Sequence, residues 1–238
     1  MGVARSWRLG VTPDEMREID RIAEADFAIQ PLQLMEVAGL QVARAAARLC
    51  DGVAGKTMCI LAGKGNNGAD GLVAARRLAG WGARVEVLTS YPLDEASGMS
   101  AGHLRTLRKS SVVLRPWAGV LPAADLYVDA LLGFGSRGAP RGSVEQMIGA
   151  LPPGEVLAVD VPSGLDAGTG DIPGACVRAE QTVTLALTKV GLLAPAAASH
   201  VGLLLLADIG VPRELIAGLG IDTAGLFETS DLEVLVAA

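Results

Sequence analysis

Carboxylates at the ends of apolar runs are the side chains of this sequence that are best placed to do chemistry. Asp129 in VDALLGFG, Asp160 in AVDVPSG and Asp208 in ADIGVP each follow such a run. A carboxylate beside a buried strand is costly unless it is paired with a cation, hydrogen-bonded or protonated. Asp129 and Asp160 also precede glycine-containing loops of the kind that hold small ligands. They predict a binding site or, alternatively, two loop caps.

A glycine-rich segment at residues 58–88 predicts a second part of such a site. Gly63, Gly65 and Gly68 form a G-x-G-x-x-G pattern between an apolar run and a helical pattern, as in dinucleotide-binding folds. Those folds place an Asp or Glu for the ribose hydroxyls at the end of the second strand, whereas here that end is Leu-Thr-Ser. Glu86 lies inside the alternating strand pattern, which predicts that it points to one face of the sheet. The usual pose of NAD is therefore not predicted.

Oxygen-bearing side chains follow these glycines. Asn66, Asn67 and Asp70 add two amides and a carboxylate, which suit a hard cation or a polar ring, although Asn also serves left-handed turn positions. If the strand ends are neighbours, Asn67, Asp129 and Ser163 converge. An amide, a carboxylate and a hydroxyl favour a weakly charged, oxygen-bound cation over zinc, which prefers Cys and His ligands.

Asp160 is the candidate for proton transfer. A carboxyl partly desolvated beside a ligand has the raised pKa of a general acid and base. His103 and His200, the only histidines, lie far from every motif, so a histidine-based triad is not predicted and each is expected to be a surface or satisfied residue. Lys189, just past a predicted strand, is expected to reach solvent rather than a substrate phosphate.

The pattern of the whole chain predicts an α/β fold. Apolar residues make up 50% of the sequence and aromatic residues only 3%, an aliphatic composition typical of a parallel sheet covered by helices. Apolar runs alternate with helical patterns, which indicates a mostly parallel sheet with ligands at its carboxyl edge. The predicted strands are residues 58–62, 85–88, 112–114, 126–130, 156–161, 182–187 and 201–207.

Two amphipathic helices are predicted before the first of these strands. Thr12, Pro13 and Glu15 supply an N-cap, a first helical residue and the acid of a capping box. A second helix is expected to begin at Pro31, and Glu36 within it is interpreted as a solvated or capping carboxylate. These helices extend the N-terminal side of the core.

Composition also bounds the partners. The net charge is −6 and no block of basic residues occurs, so nucleic acid is not expected as a partner. Cys50, Cys59 and Cys176 are odd in number, lack metal-ligand spacing and lie in or beside apolar segments. They are expected to be reduced packing residues of a cytoplasmic protein. No leader or membrane-spanning segment is predicted.

Together these motifs resemble the YjeF N-terminal domain family, the NAD(P)H-hydrate epimerases. The motifs TPDEMREID, LMEVAG, GKGNNGADGLVAARRL, VDALLGFGSRG, AVDVPSGLDAGTG, TVTLALTKVGL and ADIGVP occur in the family's order over nearly the whole chain. The resemblance implies a Rossmann-like three-layer α/β/α sandwich with a mostly parallel central sheet and two N-terminal helices. The expected division is an epimerase domain at residues 1–220 and a closing segment or truncated linker at residues 221–238.

The resemblance also implies an isomerase. Family members interconvert the R and S forms of NADHX and NADPHX, cofactors hydrated at C6 of the nicotinamide ring, so that a dehydratase can repair both. They bind K+, which by matching positions falls to Asn67, Asp129 and Ser163, and Asp160 is the expected proton shuttle. The substrate contacts implied by the resemblance are Asn66, Asn67, Gly68, Ala69, Asp70, Gly133, Phe134, Gly135, Ser136, Arg137, Gly138, Ala139 and Asp160.

Two departures and one rival function accompany the resemblance. Ala69 stands where the family usually has Gly, which makes it a test of how tight the loop is. Val37 stands where the family usually has Asn or Arg and removes a polar group expected at the site or at a subunit contact. The rival function is a non-catalytic nucleotide-binding or scaffold module of the same family. The family further implies a homodimer and a fused or separate ADP- or ATP-dependent dehydratase as partner.

Overall fold

The computed structural model describes residues 5–235, which form an α/β domain around one large sheet. The helices are α1 (Pro13–Ala25), α2 (Pro31–Leu49), α3 (Asn66–Gly80), α4 (Gly98–Leu107), α5 (Gly142–Ala150), α6 (Ala198–Val201) and α7 (Arg213–Gly218). The strands are β1 (Arg5–Ser6), β2 (Thr57–Ala62), β3 (Arg84–Thr89), β4 (Val113–Pro116), β5 (Leu126–Ala130), β6 (Val156–Val159), β7 (Gln181–Leu185), β8 (Leu203–Ala207), β9 (Ile221–Asp222) and β10 (Leu232–Leu235).

The central sheet has eight strands in the order β10-β8-β7-β6-β5-β2-β3-β4. All neighbouring pairs are parallel except β10 with β8. Parallel pairing requires crossovers, and most of these carry the helices that the alternating pattern predicted. The predicted α/β class with a mostly parallel sheet is confirmed.

Both faces of the sheet are buried, which makes the fold a three-layer sandwich. Alternate residues of β2 enter different cores: Met58 and Ile60 pack with helices α1 to α4 and α7, whereas Cys59 and Leu61 pack with Met147 of α5. This alternation follows from the two-residue period of a strand. It also explains why the sheet needs near-continuous apolar runs.

The two N-terminal helices begin as predicted. The Thr12 backbone N–H donates to Glu15 at 2.7 Å and the Glu15 N–H donates to the Thr12 hydroxyl at 3.2 Å, which completes the capping box. α2 lies against α3. Glu36 of α2 forms ion pairs with Arg76 and Arg77 of α3, so this carboxylate joins two helices rather than serving only solvent or a cap.

Two predicted strands end earlier than the sequence pattern indicated. The predicted strands at residues 156–161 and 182–187 end at Val159 and Leu185. The chain turns at Asp160 and Ala186, whose φ angles are +65° and +62°. The prediction extended too far because Val161 and Leu187 stay buried after these turns, so burial continues where strand geometry does not.

The C-terminal residues complete an edge of the sheet. Leu226 and Leu232 are buried in the main core, and β10 pairs antiparallel with β8. β9 forms a separate two-stranded parallel pair with β1. Within residues 5–235, no helix is both long and apolar enough to cross a bilayer. The three cysteines are unpaired, and burial raises the pKa of the Cys59 thiol to about 12.

Close backbone approach explains the glycines at the start of α3. A Cβ on Gly63 would lie 1.8 Å from the Leu131 carbonyl oxygen, and one on Gly68 would lie 1.9 Å from the Gly63 oxygen. Ala69 lies inside α3 and packs with Met35 and Val73. Its position therefore needs no left-handed backbone, and an alanine fits there without strain.

These contacts predict opposite tolerances at two adjacent positions. Gly68→Ala should lower the free energy of unfolding by about 3 kcal/mol or more, because the methyl meets a backbone oxygen that has no side-chain freedom. Ala69→Gly should lower it by only about 1 kcal/mol through helix propensity. Urea denaturation of both variants measures the difference. A smaller loss in Gly68→Ala than in Ala69→Gly would contradict the assigned packing.

Candidate active site

The carboxyl ends of β2, β5, β6 and β7, which are neighbours in the sheet, meet at a cavity of about 790 Å³. Its other walls come from α1, the start of α2, the first turn of α3 and the loop after β5. The volume falls within the range of about 300–1,000 Å³ that is typical of small-molecule sites. The predicted placement of a ligand at the carboxyl edge thus coincides with a real cavity.

Asp129 and Ser163 form the polar centre below this cavity. The Ser163 hydroxyl donates to Asp129 Oδ1 at 2.6 Å and the Ser163 N–H donates to Oδ2 at 2.8 Å. Asp129 is fully buried, and desolvation raises the pKa of its carboxyl to about 6 despite these hydrogen bonds. No basic side chain contributes to that pKa. The carboxylate is therefore hydrogen-bonded but electrostatically uncompensated.

Asn67 lines the cavity and has unsatisfied polar atoms. Its side chain is buried in the first turn of α3, and neither Oδ1 nor Nδ2 has a hydrogen-bond partner within the described part of the chain. The loop after β5 comes close, since a Cβ on Gly133 would lie 3.3 Å from Asn67 Oδ1. An orphan amide oxygen and an uncompensated carboxylate fit a monovalent cation held by oxygen ligands.

Asp160 and Lys189 form a buried ion pair on the cavity floor. Lys189 Nζ contacts Asp160 Oδ1 and also donates to the Leu185 carbonyl at 2.8 Å and to Thr184 Oγ1 at 3.2 Å. The Lys189 side chain is only 1% exposed, so the expectation that it reaches solvent was wrong. The chain bends away after β7 and returns Lys189 to the sheet edge. A position just past a strand does not reveal such a return.

This pairing also changes the environment expected for Asp160. Besides Lys189, its carboxylate accepts the Phe134 N–H at 3.1 Å and the Leu185 N–H at 3.3 Å. Asp160 is buried, in line with the expected desolvation, but the sequence analysis did not identify Lys189 as its cationic partner. The left-handed turn at Asp160 aims the side chain at these donors and at the cavity, since a continued strand would send it to one face of the sheet.

Two further carboxyls face the same cavity. Asp70 is buried, and desolvation together with the charges of Asp160 and Asp20 raises the pKa of its carboxyl well above the ordinary value. Asp20 of α1 is solvent accessible, yet the cavity walls desolvate it and raise its pKa to about 6. Sequence reasoning missed Asp20. The sequence feature that could have identified Asp20 is its position one turn after Met16, next to the apolar stripe of α1 that contains Ile19.

The structure divides the predicted substrate contacts into two groups. The cavity is lined by Asn66, Asn67, Asp70, Gly133, Phe134, Gly135, Ser136 and Asp160. Gly68, Ala69, Arg137, Gly138 and Ala139 are not among its lining residues. Gly68 and Ala69 point into packing contacts, whereas Arg137 is exposed and approaches Asp14 at 3.8 Å. Val37 packs against the main core, and it does not line the cavity either.

The remaining polar residues named from the sequence lie elsewhere. Asp208 accepts the Gly210 N–H at 2.8 Å, which makes it a turn cap. Glu86 pairs with Arg115 across neighbouring strands, as a residue on a sheet face does. The His200 ring contacts the Val177 carbonyl at 2.8 Å. His103 is buried and its Nε2 has no hydrogen-bond partner among residues 5–235, so the prediction of a surface or satisfied residue was wrong for His103.

Comparison with known proteins identifies relatives across this fold. The family model described as "YjeF-related protein N-terminus" matches residues 31–191. A protein of Rhodopirellula baltica named NAD(P)H-hydrate epimerase is 35% identical over 214 residues, which cover 87% of this chain and 86% of that protein. A second NAD(P)H-hydrate epimerase, from Pirellula staleyi, is 36% identical, with 84% of this chain and 92% of the relative covered.

A longer relative and a solved structure are also similar to this chain over most of its length. The Bifunctional NAD(P)H-hydrate repair enzyme Nnr of Moorella thermoacetica is 40% identical over 219 residues, 87% of this chain, which span only 41% of that protein. The crystal structure of the yeast protein Ynu0 superposes with a TM-score of 0.78 at 26% identity, and covers 94% of this chain and 99% of its own.

The buried ion pair predicts an asymmetric response to mutation. Lys189→Met should lower the free energy of unfolding by about 3–5 kcal/mol, because it leaves the Asp160 carboxylate buried without its cation. The double variant Asp160→Asn/Lys189→Met should lose less, since it buries no unpaired charge. Urea denaturation and the double-mutant cycle measure this coupling.

The matched control for this pair is a lysine at the cavity rim. Lys64 pairs with Glu95 at 3.1 Å, and both side chains are 56% exposed. Lys64→Met should therefore lower stability by about 1 kcal/mol at most. A loss of that size in Lys189→Met as well would show that Asp160 does not depend on its lysine.

Proposed function

Since the chain belongs to the YjeF-related protein N-terminal family, we propose that it interconverts the R and S forms of NADHX and NADPHX. Relatives named NAD(P)H-hydrate epimerase align over most of their own length, which supports this isomerase activity for the described domain. The observation that carries the proposal is the cavity itself, whose floor holds ionisable groups in contact with one another. A module that only binds partners needs no proton-transfer groups on the floor of a pocket.

The proposed reaction inverts C6 of the hydrated nicotinamide, which carries a hydroxyl and is bonded to N1. Ring opening removes the hydroxyl proton, forms the C6 carbonyl and breaks the C6–N1 bond, whose electron pair goes to N1. N1 takes up a proton at the same time. Rotation of the aldehyde and re-closure on its other face reverse these transfers and give the other epimer, so that the reaction has no net consumption of protons.

Asp160 and Lys189 are the proposed proton-transfer pair at the cavity floor. The carboxylate already accepts two backbone N–H groups, which orient it, while Lys189 carries a proton beside it. Phe134 lies over the Lys189 ammonium, with Nζ 5.7 Å from the ring centroid, so the loop after β5 covers the pair. The covering excludes water and strengthens the electrostatic interactions of the site.

K+ is the proposed cofactor, held by Asn67, Asp129 and Ser163. The support is the orphan Asn67 amide together with the uncompensated Asp129 carboxylate. A bound cation would fix the charge balance beneath the cavity. Asp129 lies near the end of β5, and Asn67 and Ser163 follow β2 and β6, so the cation would also join the ends of three strands.

The partners and the location of the protein form a separate part of the proposal. The chain spans 41% and 39% of the length of two bifunctional repair enzymes that it matches. We propose that it works with a dehydratase, fused or separate, as a homodimer in the cytoplasm. The basis is the family alone, because the structure describes one chain.

Epimerisation should depend on Asp160. Wild-type protein added to a mixture enriched in R-NADHX should equilibrate it with the S form, as measured by chromatographic separation of the two. Asp160→Asn should lower kcat about 100-fold or more, within the range for loss of a general acid–base group. Asp208→Asn is the control, because Asp208 also follows a strand but caps a turn outside the cavity. Equal rates in both variants would remove Asp160 from the mechanism.

K+ should stabilise the protein more at pH 8 than at pH 5. Without a cation, folded Asp129 keeps its proton up to about pH 6, whereas the unfolded chain releases it near pH 4. Stability therefore falls as the pH rises through this window. K+ competes with the proton for the carboxylate, so its effect is largest above pH 6, and K+ at 100 times its Kd adds about 2.7 kcal/mol.

Thermal unfolding in KCl and in choline chloride at equal ionic strength tests this dependence. Asp129→Asn is the control, since it keeps the shape of the side chain and removes its charge. A K+ effect that is equal at both pH values, or that survives in Asp129→Asn, is incompatible with a cation on Asp129.

A further inference from the structure

The proposed mechanism leaves several ionisable side chains of the cavity without a role, and Asp20 is one of them. Asp20 lies on α1, one turn after Met16, and both residues line the cavity. Between them the buried Ile19 fixes the helix on the core. Asp20 therefore faces the ligand space from a rigid helix that is independent of the sheet.

The charges around Asp20 couple it to the floor of the site. Asp160 raises and Lys189 lowers its pKa, and Asp20 in turn raises the pKa of Asp70. The other charged residues of the cavity lining have separate positions: Arg21 pairs with Glu18, Lys64 pairs with Glu95, and Glu24 lies exposed one turn further along α1. Asp20, Asp70, Asp160 and Lys189 thus form one electrostatic cluster.

The chemistry of inversion calls for a second proton-transfer group. Opening the ring removes a proton from the C6 hydroxyl and delivers one to N1, and after inversion the hydroxyl lies on the other face of the ring. Both oxygens of the Asp160 carboxylate already accept hydrogen bonds, from the Phe134 and Leu185 N–H groups and from Lys189. A carboxyl that is desolvated but accessible from the cavity is better able to gain and lose a proton near neutral pH.

We propose that Asp20 is a second acid–base residue of the epimerisation, acting on the bound nicotinamide hydrate together with the Asp160 and Lys189 pair. This inference rests on the proposed function. In ring opening Asp20 takes the hydroxyl proton while the pair supplies the proton to N1, and ring closure at the other face returns both. Each group ends the cycle in its starting protonation state, so no further reactant is needed.

The test compares conservative variants of Asp20 in the full chain. Asp20→Asn should lower kcat for R-NADHX about 100-fold with little change in KM, within the range for an acid–base group. Asp20→Glu should recover at least a tenth of the wild-type rate, because it restores a carboxyl on a longer arm. Asp26→Asn, at the end of the same helix and outside the cavity lining, should keep the wild-type rate.

The pH profile separates proton transfer from a structural effect. The kcat of the wild-type protein should change with pH around pH 6, where the coupled carboxyl groups titrate. This change should be absent from the pH profile of Asp20→Asn. A kcat within tenfold of wild type, a loss confined to KM, or a pH dependence that persists in Asp20→Asn overturns the role of Asp20. An inactive wild-type protein rejects the proposed function itself, and the role of Asp20 with it.

Discussion

Buried negative charge at the carboxyl edge of the sheet is the constraint on which the rest of the site depends. Asp129 near the end of β5 and Asp160 directly after the neighbouring β6 are almost completely removed from water. The protein compensates them differently: Lys189 neutralises Asp160, whereas within residues 5–235 Asp129 accepts hydrogen bonds from Ser163 and the backbone and forms no ion pair. The charge of Asp160 is therefore neutralised within the chain, whereas the charge of Asp129 is not, which leaves Asp129 able to bind a cation.

The topology places these groups at a natural crevice. β2 is followed along the chain by β3 on one side, whereas β5 lies on its other side, so the connections diverge between β2 and β5. Ligands of doubly wound sheets bind at such a point. Asn67 follows β2 and Asp129 ends β5, which puts both at the crevice. α1 and α2 then close it from above, and this changes a groove at the sheet edge into a cavity.

The glycine-rich loop has a different task from the one that its pattern first indicates. Gly63 and Gly68 allow the loop to pack on the backbone of β5 and on itself, which draws Asn67 beneath the cavity. Ala69 lies behind this arrangement, against Met35, so the departure from the family pattern falls in a packing contact. A cofactor fingerprint and the proposed cation site at Asn67 can thus share one backbone geometry, and the side chains set the difference.

The sequence by itself determined the seven parallel strands β2 to β8, the capped N-terminal helix and the candidates Asn67, Asp129, Asp160 and Ser163, because each depends on local periodicity or on a strand end. Only the tertiary structure decided what surrounds them. Lys189 reaches Asp160 across 29 positions after the chain bends away from β7, and Asp20 enters from a helix more than a hundred residues earlier. Such contacts depend on how distant elements pack, which no local pattern records. Hydrophobic periodicity therefore predicted the site's scaffold, and long-range packing decided its electrostatics.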